Sequence, residues 1–503
     1  MHPENPYLLC PPDFSKLAKS SEELRPFVFL NASKLPVIDF KNPAAVRALS
    51  RALLHHDLDL NVTIPDDRLC PTVANRLDYL LWIRSLLRTH DCLSDVALKK
   101  SSEKIRGIDI GTGSTAIYPL IGSRLEPQWE FCATEIDPNS FHHAQGNISR
   151  NFLSDRVKLV KIEPPSGQEQ DRILKPFELF PDLQFEFTMC NPPFYSSWQE
   201  ISSLASNKEF NPHAICTGAE TEMITTGGEV EFVKRMVNES TSMGIQDRCR
   251  WFTSLLGKSS SIKDVVDLFR SRKIKNYAIA EFIQGHTKRW ALAWSFSALY
   301  LPDDLSRPTS KQLHPFLPPS NSKSFTFPPD TSIEDLVRCT ERILQALDGV
   351  SLSTLSEPIT VSSGSHSDSS ENPTRPTSSS TRYLVSAREA TWSRSARRKK
   401  HVRVENEINP MEHDVSTVDE RPFLSTLLRF DRVGLTNRGT NRSTDKDGDK
   451  NREDGDEKGW EMSMHLLSLK TDDIEGKNRL AWEGLWNFML RKVREGVQEC
   501  VEK

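Results

Sequence analysis

The spacing of hydrophobic and polar positions changes near residue 105, and this change divides the chain. Before it, apolar residues recur at helical spacing: Val46 and Leu49 share one face behind the helix cap Asn42, and a second helical pattern runs from Ala74 to Leu87. We therefore predict a mainly helical N-terminal region over residues 1–100.

From about 101 to 300, short apolar runs alternate with helical stretches. This alternation is typical of a parallel sheet whose strands are joined by crossover helices. The fold class is therefore α/β, in a domain that ends near residue 300. Strands are predicted at Ile105–Ile110, Glu130–Glu135, Val157–Ile162, Phe185–Cys190, Arg250–Leu255, Ala278–Phe282 and Trp290–Phe296.

The remaining third of the chain is more polar and more broken. Residues 301–381 are predicted to be a linker with one helix at 332–347, and its Ser/Thr/Pro tract is too polar to bury a core, so the linker should be partly disordered. Residues 382–503 resemble a small α+β module, interrupted by a charged low-complexity insert near 436–458.

Composition narrows the class of protein. Hydrophobic residues make up 37% and charged residues 27%, which suits a globular chain, and the net charge of −4 means that any RNA contact depends on local basic patches. The nine cysteines include no C-x-x-C pair, so we expect reduced thiols rather than zinc ligands or disulfides. No apolar stretch is long enough to span a membrane, and no metal site is expected.

A glycine-containing turn follows the first predicted strand of the sheet. Asp109, Gly111 and Gly113 form a D-x-G-x-G motif between a strand and a helix, where open α/β sheets bind ligands. Glycine lets the backbone approach a nucleotide-like ligand closely. Alone, the motif fits an ordinary tight turn equally well.

Glu135 ends the second strand, 24 residues after Gly111. An acidic residue near this spacing can accept hydrogen bonds from ribose hydroxyls. The form D-x-G-x-G, rather than G-x-G-x-x-G, favours S-adenosylmethionine over a nicotinamide cofactor.

The tetrapeptide Asn191-Pro192-Pro193-Phe194 follows the apolar run FEFTMC. An exocyclic amine conjugated to a ring is a poor nucleophile, and the Asn191 side-chain oxygen with the Pro192 carbonyl can accept its two hydrogens and orient it. Phe194 offers a face on which an extruded base can stack. The tetrapeptide does not by itself distinguish adenine, cytosine and glutamine amide as acceptors.

From about Pro11 to Phe296 the chain resembles the U6 small nuclear RNA adenine-N6 methyltransferases, relatives of the bacterial large-subunit ribosomal RNA adenine-N6 methyltransferases. Eight collinear motifs carry the resemblance: PPDF (11–14), NPAAVRAL (42–49), PTVANRLDY (71–79), GIDIGTG (107–113), ATEID (133–137), NPPF (191–194), GGEVEFVKR (227–235) and KRWALAWSF (288–296).

The resemblance implies a Rossmann-like class I methyltransferase domain, with an N-terminal helical region that helps to bind RNA. It implies a catalytic tetrad, Asn191, Pro192, Pro193 and Phe194. It also implies an S-adenosylmethionine site lined by Arg76, Gly111, Gly113, Glu135 and Asn191, with Ser166 as a weaker candidate. The Pro- and Gly-rich segment 163–170 departs from the family pattern, which puts the contact of Ser166 in doubt.

The expected partner is structured RNA, with U6 small nuclear RNA the first candidate. Candidate phosphate-binding residues near the substrate cleft are Lys41, Arg270, Arg272, Lys273, Lys288 and Arg289. The basic run 394–403 favours a second RNA contact, a nuclear address, or both, and we expect a nuclear protein that could also occur in the cytoplasm. The alternatives are methylation of ribosomal RNA, methylation of a protein glutamine, and RNA binding without catalysis; the oligomeric state stays open.

Overall fold

The computed structural model of the protein describes residues 1–97, 104–163, 172–206, 219–242, 244–285, 287–355, 381–393, 422–434, 458–469 and 477–501. The chain forms two compact units. The first comprises Met1–Ser297 and Asp304–Pro319, and the second comprises Ala298–Asp303 and described residues from Ser320 onward.

The first unit begins with three helices and a small hairpin. The helices are α1 (Phe14–Ser20), α2 (Pro43–Leu58) and α3 (Val73–Ala97), and the hairpin pairs β1 (Val28–Leu30) with β2 (Pro36–Ile38). The Asn42 side chain caps α2 by accepting hydrogen bonds from the backbone N–H groups of Ala44 and Ala45. The two predicted helices are confirmed, whereas the hairpin was missed.

A seven-stranded sheet forms the centre of this unit. Its strands are β3 (Ile105–Ile110), β4 (Trp129–Glu135), β5 (Val157–Lys161), β6 (Phe185–Cys190), β7 (Cys249–Leu256), β8 (Asn276–Gln284) and β9 (Thr287–Ser295). Every predicted strand is present, and their spatial order is β5-β4-β3-β6-β7-β9-β8. The first five strands are parallel and β9 runs antiparallel to both neighbours, so the predicted parallel sheet has an antiparallel edge.

Helices lie between the strands of this sheet, and one short helix follows its last strand. They are α4 (Ile117–Leu125), α5 (Pro138–Arg150), α6 (Pro176–Leu179), α7 (Trp198–Ser206), α8 (Glu220–Met223), α9 (Gly228–Ser240), α10 (Ser259–Ser271) and α11 (Asp303–Ser306). From β3 the chain winds toward β5, and from β6 it winds the other way. Right-handed crossovers then place α4 and α5 on one face of the sheet and α9 and α10 on the other. The reversal between β3 and β6 opens a crevice at the carboxyl ends of these strands.

The second unit is an antiparallel sheet covered by two helices. Its elements are β10 (Ser322–Phe327), α12 (Ile333–Gln345), β11 (Val350–Thr354), β12 (Thr381–Ala387), β13 (Leu424–Gly434), β14 (Lys458–Leu469) and α13 (Lys477–Val501). Alternate residues of β12, Tyr383, Val385 and Ala387, are buried in a core with Trp482 and Met489 of α13.

The boundaries of this unit differ from the predicted ones. The segment 301–381 was predicted to be a linker with one helix, but β10, α12 and β11 belong to the same sheet and core as β12, β13, β14 and α13. Both strands are short edge strands with Ser or Thr at alternate positions, so in the sequence they look like polar loop. Residues 356–380, the basic run 394–403 and nearly all of the predicted insert at 436–458 lie outside the described residues.

Among the described helices, none combines the length and apolar character needed to cross a membrane. Within the same part of the chain, no group of three or more His, Cys, Asp or Glu side chains is arranged to hold a metal ion.

Gly107 tests the packing of the central sheet. A Cβ atom at this position of β3 would lie 2.2 Å from Cζ of Phe187, a fully buried ring on β6. Gly107→Ala is therefore expected to destabilise the first unit by about 1–3 kcal/mol through overpacking. Calorimetric thermal unfolding measures this, with Gly146→Ala as the control, because a Cβ there meets no atom within 4 Å. Equal melting temperatures for the two variants would contradict the packing described.

Candidate active site

A cleft opens at the carboxyl ends of β3, β4 and β6. Its empty space is about 1090 Å³, including the part open to solvent. The cleft is lined by Leu69, Pro71, Arg76, Ile110, Gly111, Thr112, Gly113, Ser114, Thr115, Ile117, Tyr118, Thr134, Glu135, Ile136, Ile162, Arg172, Ile173, Cys190, Asn191, Pro192, Pro193, Thr221, Glu222, Phe232 and Arg235.

The glycine turn after β3 forms one wall. Gly111 and Gly113 have φ angles of +67° and +68°, in the left-handed region that favours glycine. A Cβ on Gly111 would meet no atom within 4 Å, so the backbone there faces open space. The N–H of Thr112 donates to the carbonyl of Thr134 at 2.8 Å, which ties the turn to β4.

Glu135 ends β4 beside this turn. Its carboxylate accepts hydrogen bonds from the backbone N–H groups of Gly113 at 2.8 Å and of Ile136 and Asp137 at 2.9 Å each. Burial raises the pKa of Glu135, and these hydrogen bonds partly oppose the rise. The carboxylate therefore holds two loops together at the edge of the cleft, and its oxygens retain further acceptor capacity for a ligand.

Polar groups at the base of the cleft lack partners. Nε of Arg76 and Oγ of Ser114, two residues of the lining, are buried without a hydrogen-bond partner among the described residues. Nη1 of Arg76 donates to the Tyr118 hydroxyl at 2.6 Å, and its guanidinium carbon lies 5.2 Å from the centre of that ring. Unpaired buried polar atoms are costly, so the cleft suits a ligand with charged and polar ends.

The catalytic tetrapeptide predicted from the sequence leaves β6 into the same cleft. Asn191 is half-buried and Pro192 is buried. Just before them, the N–H of Cys190 donates to the Tyr79 hydroxyl at 3.4 Å, and that hydroxyl shares a 2.6 Å hydrogen bond with Thr253 of β7. Helix α3 is thus fixed to the ends of β6 and β7 beneath the tetrapeptide.

The chain after the tetrapeptide is also held. The N–H of Tyr195 donates to the carbonyl of Met223, and the N–H of Thr225 donates to the carbonyl of Tyr195, both at 3.0 Å. Phe194 lies against the turn between β7 and α10, and the Arg289 guanidinium carbon is 5.4 Å from the centre of its ring. Both ends of the loop are therefore fixed before any substrate binds.

Most of the predicted site residues come together. The residues that line the cleft are Arg76, Gly111, Gly113, Glu135, Asn191, Pro192 and Pro193. Phe194 is not part of the lining, but it directly follows Pro193 and packs against Gly257. Ser166 lies outside the described residues.

The predicted basic residues divide into separate groups. Lys288 and Arg289 begin β9, whose Trp290 pairs with Leu256 at the carboxyl end of β7, so they lie at the cleft edge of the sheet. Arg270, Arg272 and Lys273 lie at the far end of α10, which carries the chain back to the opposite edge over 13 residues, about 20 Å. Grouping these three near the cleft was therefore wrong.

Lys41 is exposed just before α2. It lies outside the cleft lining, and the RNA-binding role of all six basic residues stays a prediction.

Several lining residues had no role in the sequence prediction. Tyr118, Glu222 and Arg235 line the cleft from α4, α8 and α9. The Glu222 carboxylate accepts from the N–H groups of Leu69 and Ala219 at 3.0 Å each and thereby joins two distant segments. Only Arg235 had a signal, since it ends the motif GGEVEFVKR; the others depend on contacts between remote parts of the chain.

The model of a family described as RNA methyltransferase matches residues 1–298, more than half of the chain. The chain belongs to this RNA methyltransferase family. It is 40% identical over 298 residues to the RNA N(6)-adenosine-methyltransferase METTL16 of Homo sapiens, a match that covers 59% of this chain and 50% of the human protein. It is 39% identical over 304 residues to the U6 small nuclear RNA (adenine-(43)-N(6))-methyltransferase of Schizosaccharomyces pombe, covering 60% and 74%.

A solved structure shares the fold. The crystal structure of the hMettl16 catalytic domain in complex with MAT2A 3'UTR hairpin 1 has a TM-score of 0.51 and 38% sequence identity, and covers 59% of this chain and 96% of that chain. The predicted Rossmann-like methyltransferase fold is thereby confirmed for the first unit. The chain spans about half the length of the human relative that it matches.

Asp109 predicts a pH dependence of stability. Burial, with the nearby charge of Glu135 as a further cause, raises the pKa of Asp109 from 3.8 to about 7. The folded protein therefore holds a proton that the unfolded chain releases, so this stabilisation is complete below about pH 4 and is lost as the pH rises through about 7.

Asp109→Asn removes this titration. The difference in unfolding free energy between the variant and the wild type should change by roughly 4 kcal/mol between pH 4 and pH 8, in favour of the variant at the higher pH. Denaturant unfolding across this pH range provides the measurement. Parallel pH profiles for the two proteins would show that Asp109 does not titrate in this window.

Proposed function

We propose that the protein is an S-adenosylmethionine-dependent RNA methyltransferase that methylates N6 of an adenine in a structured RNA. The observation that carries the proposal is one cleft in which the glycine turn, Glu135 and Asn191-Pro192-Pro193 face the same space. Family membership of the first unit supports the same class of reaction.

S-adenosylmethionine suits the polar groups of the cleft. Glu135 can accept from ribose hydroxyls, and Arg76 can pair with a carboxylate. Gly111 leaves room for the ligand along the backbone. When bound, the cofactor would supply an electrophilic methyl group on its sulfonium sulfur.

The tetrapeptide would position the adenine amine. The Asn191 side-chain oxygen and the Pro192 carbonyl would accept the two amine hydrogens, which aims the nitrogen lone pair and favours the positive charge that develops on it. The ring of Phe194 would stack on the extruded base. The amine can release its proton after the transfer, so these residues need no general base.

U6 small nuclear RNA is the substrate candidate that we propose first. Support comes from the fission yeast relative, whose name gives U6 small nuclear RNA as its substrate, and from the RNA hairpin in the related crystal structure. Lys288 and Arg289, at the cleft edge, would contact phosphates. The basic run 394–403 supports a nuclear location, and the second unit would add RNA affinity.

Methyl transfer to a panel of RNAs tests the proposal. The full chain is incubated with tritiated S-adenosylmethionine and with U6, ribosomal and unstructured RNAs, and the products are identified by nucleoside mass spectrometry. N6-methyladenosine in U6 RNA is expected, and label on ribosomal RNA, on protein glutamine or on nothing would favour one of the alternatives.

Asn191→Ala identifies the residue that orients the amine. This variant should lose at least about a hundredfold in rate, because one preorganised acceptor is removed, while its fold and RNA affinity stay intact. Calorimetric melting and a filter-binding assay serve as controls. Undiminished transfer would remove Asn191 from the catalytic role.

Removing the second unit separates affinity from chemistry. A chain that ends at Pro319 omits β10 to α13 and keeps only Ala298–Asp303 of the second unit, a segment whose Tyr300 packs against the core of that unit. RNA affinity should fall and become less sensitive to salt, because fewer phosphates are neutralised, while the rate at saturating RNA stays within about twofold. Equal affinity of the two chains at all salt concentrations would exclude RNA binding by this unit.

A further inference from the structure

Glu229, the second residue of α9, has a buried carboxylate that contacts another helix. It is 2% exposed, and its carboxylate accepts from the N–H of Gly257 at 2.6 Å, the N–H of Lys258 at 3.1 Å and the hydroxyl of Ser261 at 2.5 Å. Gly257 and Lys258 lie in the turn between β7 and α10, and Ser261 lies in the first turn of α10. Burial raises the pKa of Glu229, and these hydrogen bonds oppose the rise.

Helix α10 has no cap of its own. Lys258 occupies the cap position and makes no side-chain capping bond. The first backbone N–H groups of a helix need acceptors, and negative charge is favoured at this end. Glu229 supplies the negative charge from α9 and accepts from the two N–H groups just before α10, those of Gly257 and Lys258, so it holds this turn in place.

Gly257 is in direct contact with the substrate side of the site. A Cβ on it would lie 2.9 Å from Cδ1 of Phe194 and 3.1 Å from Oε2 of Glu229. The glycine is required because the Phe194 ring and the Glu229 carboxylate both approach the same backbone atom. Any displacement of this turn therefore changes the surface against which Phe194 packs.

The start of α9 also touches the backbone of the tetrapeptide. Gly228 has a φ angle of +66°, and a Cβ on it would lie 3.6 Å from the Phe194 carbonyl oxygen and 3.5 Å from the Ser196 nitrogen. The start of α9 thus contacts the main chain at Phe194 directly. It contacts the Phe194 ring indirectly, through the turn that Glu229 holds.

We propose that Glu229 is a positioning residue that sets the orientation of the Phe194 ring for stacking of the acceptor base. The proposal rests on the proposed function, which gives Phe194 its stacking role. Glu229 itself touches neither base nor cofactor in this scheme. It acts through Gly257, so its loss should affect the rate of transfer and leave cofactor binding nearly unchanged.

The first experiment reads the ring directly and needs no RNA. Position 194 of the full chain carries 4-fluorophenylalanine, and its fluorine NMR resonance is compared between wild type and Glu229→Gln. Glutamine has the size of glutamate but presents an NH₂ group to a backbone donor. The resonance is expected to shift or broaden, and an unchanged resonance would overturn the proposal.

Glu239→Gln is the matched control. Glu239 lies on the same helix, is half-buried, and accepts from the N–H groups of Ile173 at 3.1 Å and Leu174 at 2.8 Å. Its loss should lower the melting temperature to a similar extent without moving the fluorine resonance at 194. Equal shifts in both variants would reduce Glu229 to a general structural role and overturn the proposal.

The second experiment separates rate from binding. Glu229→Gln is expected to lower kcat on the RNA substrate by about tenfold to a hundredfold, as small misplacements in a site can do, with the cofactor Kd within twofold of wild type. Gly257→Ala should produce the same defect. Because both substitutions act on one contact, the fold loss of kcat in the double variant should be much smaller than the product of the fold losses in the two single variants.

The outcomes distinguish this inference from the proposed function. Suppose that the wild-type protein transfers methyl to no RNA, while the fluorine resonance still responds to Glu229→Gln. This result would contradict the proposed function and support the positioning role. Normal transfer by the wild type, with an equal kcat in Glu229→Gln, would support the proposed function and contradict the positioning role. If the main defect of Glu229→Gln were a raised cofactor Kd, Glu229 would act on cofactor binding and not on Phe194. This result would overturn the proposal.

Discussion

Backbone N–H groups at the carboxyl edge of the seven-stranded sheet lose their strand partners where the chain turns, and in a buried edge each needs another acceptor. Carboxylates meet this need at two places: Glu135 accepts from the turn after β3, and Glu229 accepts from the turn after β7. Glu222 and Glu239 accept in the same way from loop N–H groups elsewhere, those of Leu69 and Ile173. Buried carboxylates are costly, and burial raises the pKa of all four, so each is stabilised mainly by the amides it holds.

In the proposed reaction, these hydrogen bonds would allow methyl transfer without a charged general base. Orienting a weakly nucleophilic amine requires acceptors that are already in place, because the free energy needed for any rearrangement during the reaction would reduce the stabilisation that they give. The prolines stiffen the loop at Asn191, Tyr79 fixes its beginning, and Tyr195 is bridged to Met223 and Thr225 at its end. Rigidity in this loop comes from neighbouring elements that are far away in the sequence.

Local signals in the sequence were enough to locate the sheet and the centre of the site. Each strand of the seven-stranded sheet and the residues Gly111, Glu135 and Asn191 follow from short-range patterns, because strand ends and glycine turns have characteristic neighbouring residues. The position of Arg270 could not be read in this way, because it depends on which direction a crossover helix takes. Glu229 stands in the motif GGEVEFVKR, but its role could not be predicted from that motif, because its partners lie 28 to 32 residues away and look like an ordinary strand-to-helix turn.

The same limit explains why the N-terminal helices were predicted as a separate RNA-binding region. They belong to the first compact unit together with the sheet. Arg76 of α3 and the segment at Leu69 and Pro71 line the cleft, and Tyr79 of the same helix is bonded to Thr253 in the sheet. These helices complete the walls of the cleft. A chain that lacked them would therefore lose the cleft as well as any RNA contact that the helices make.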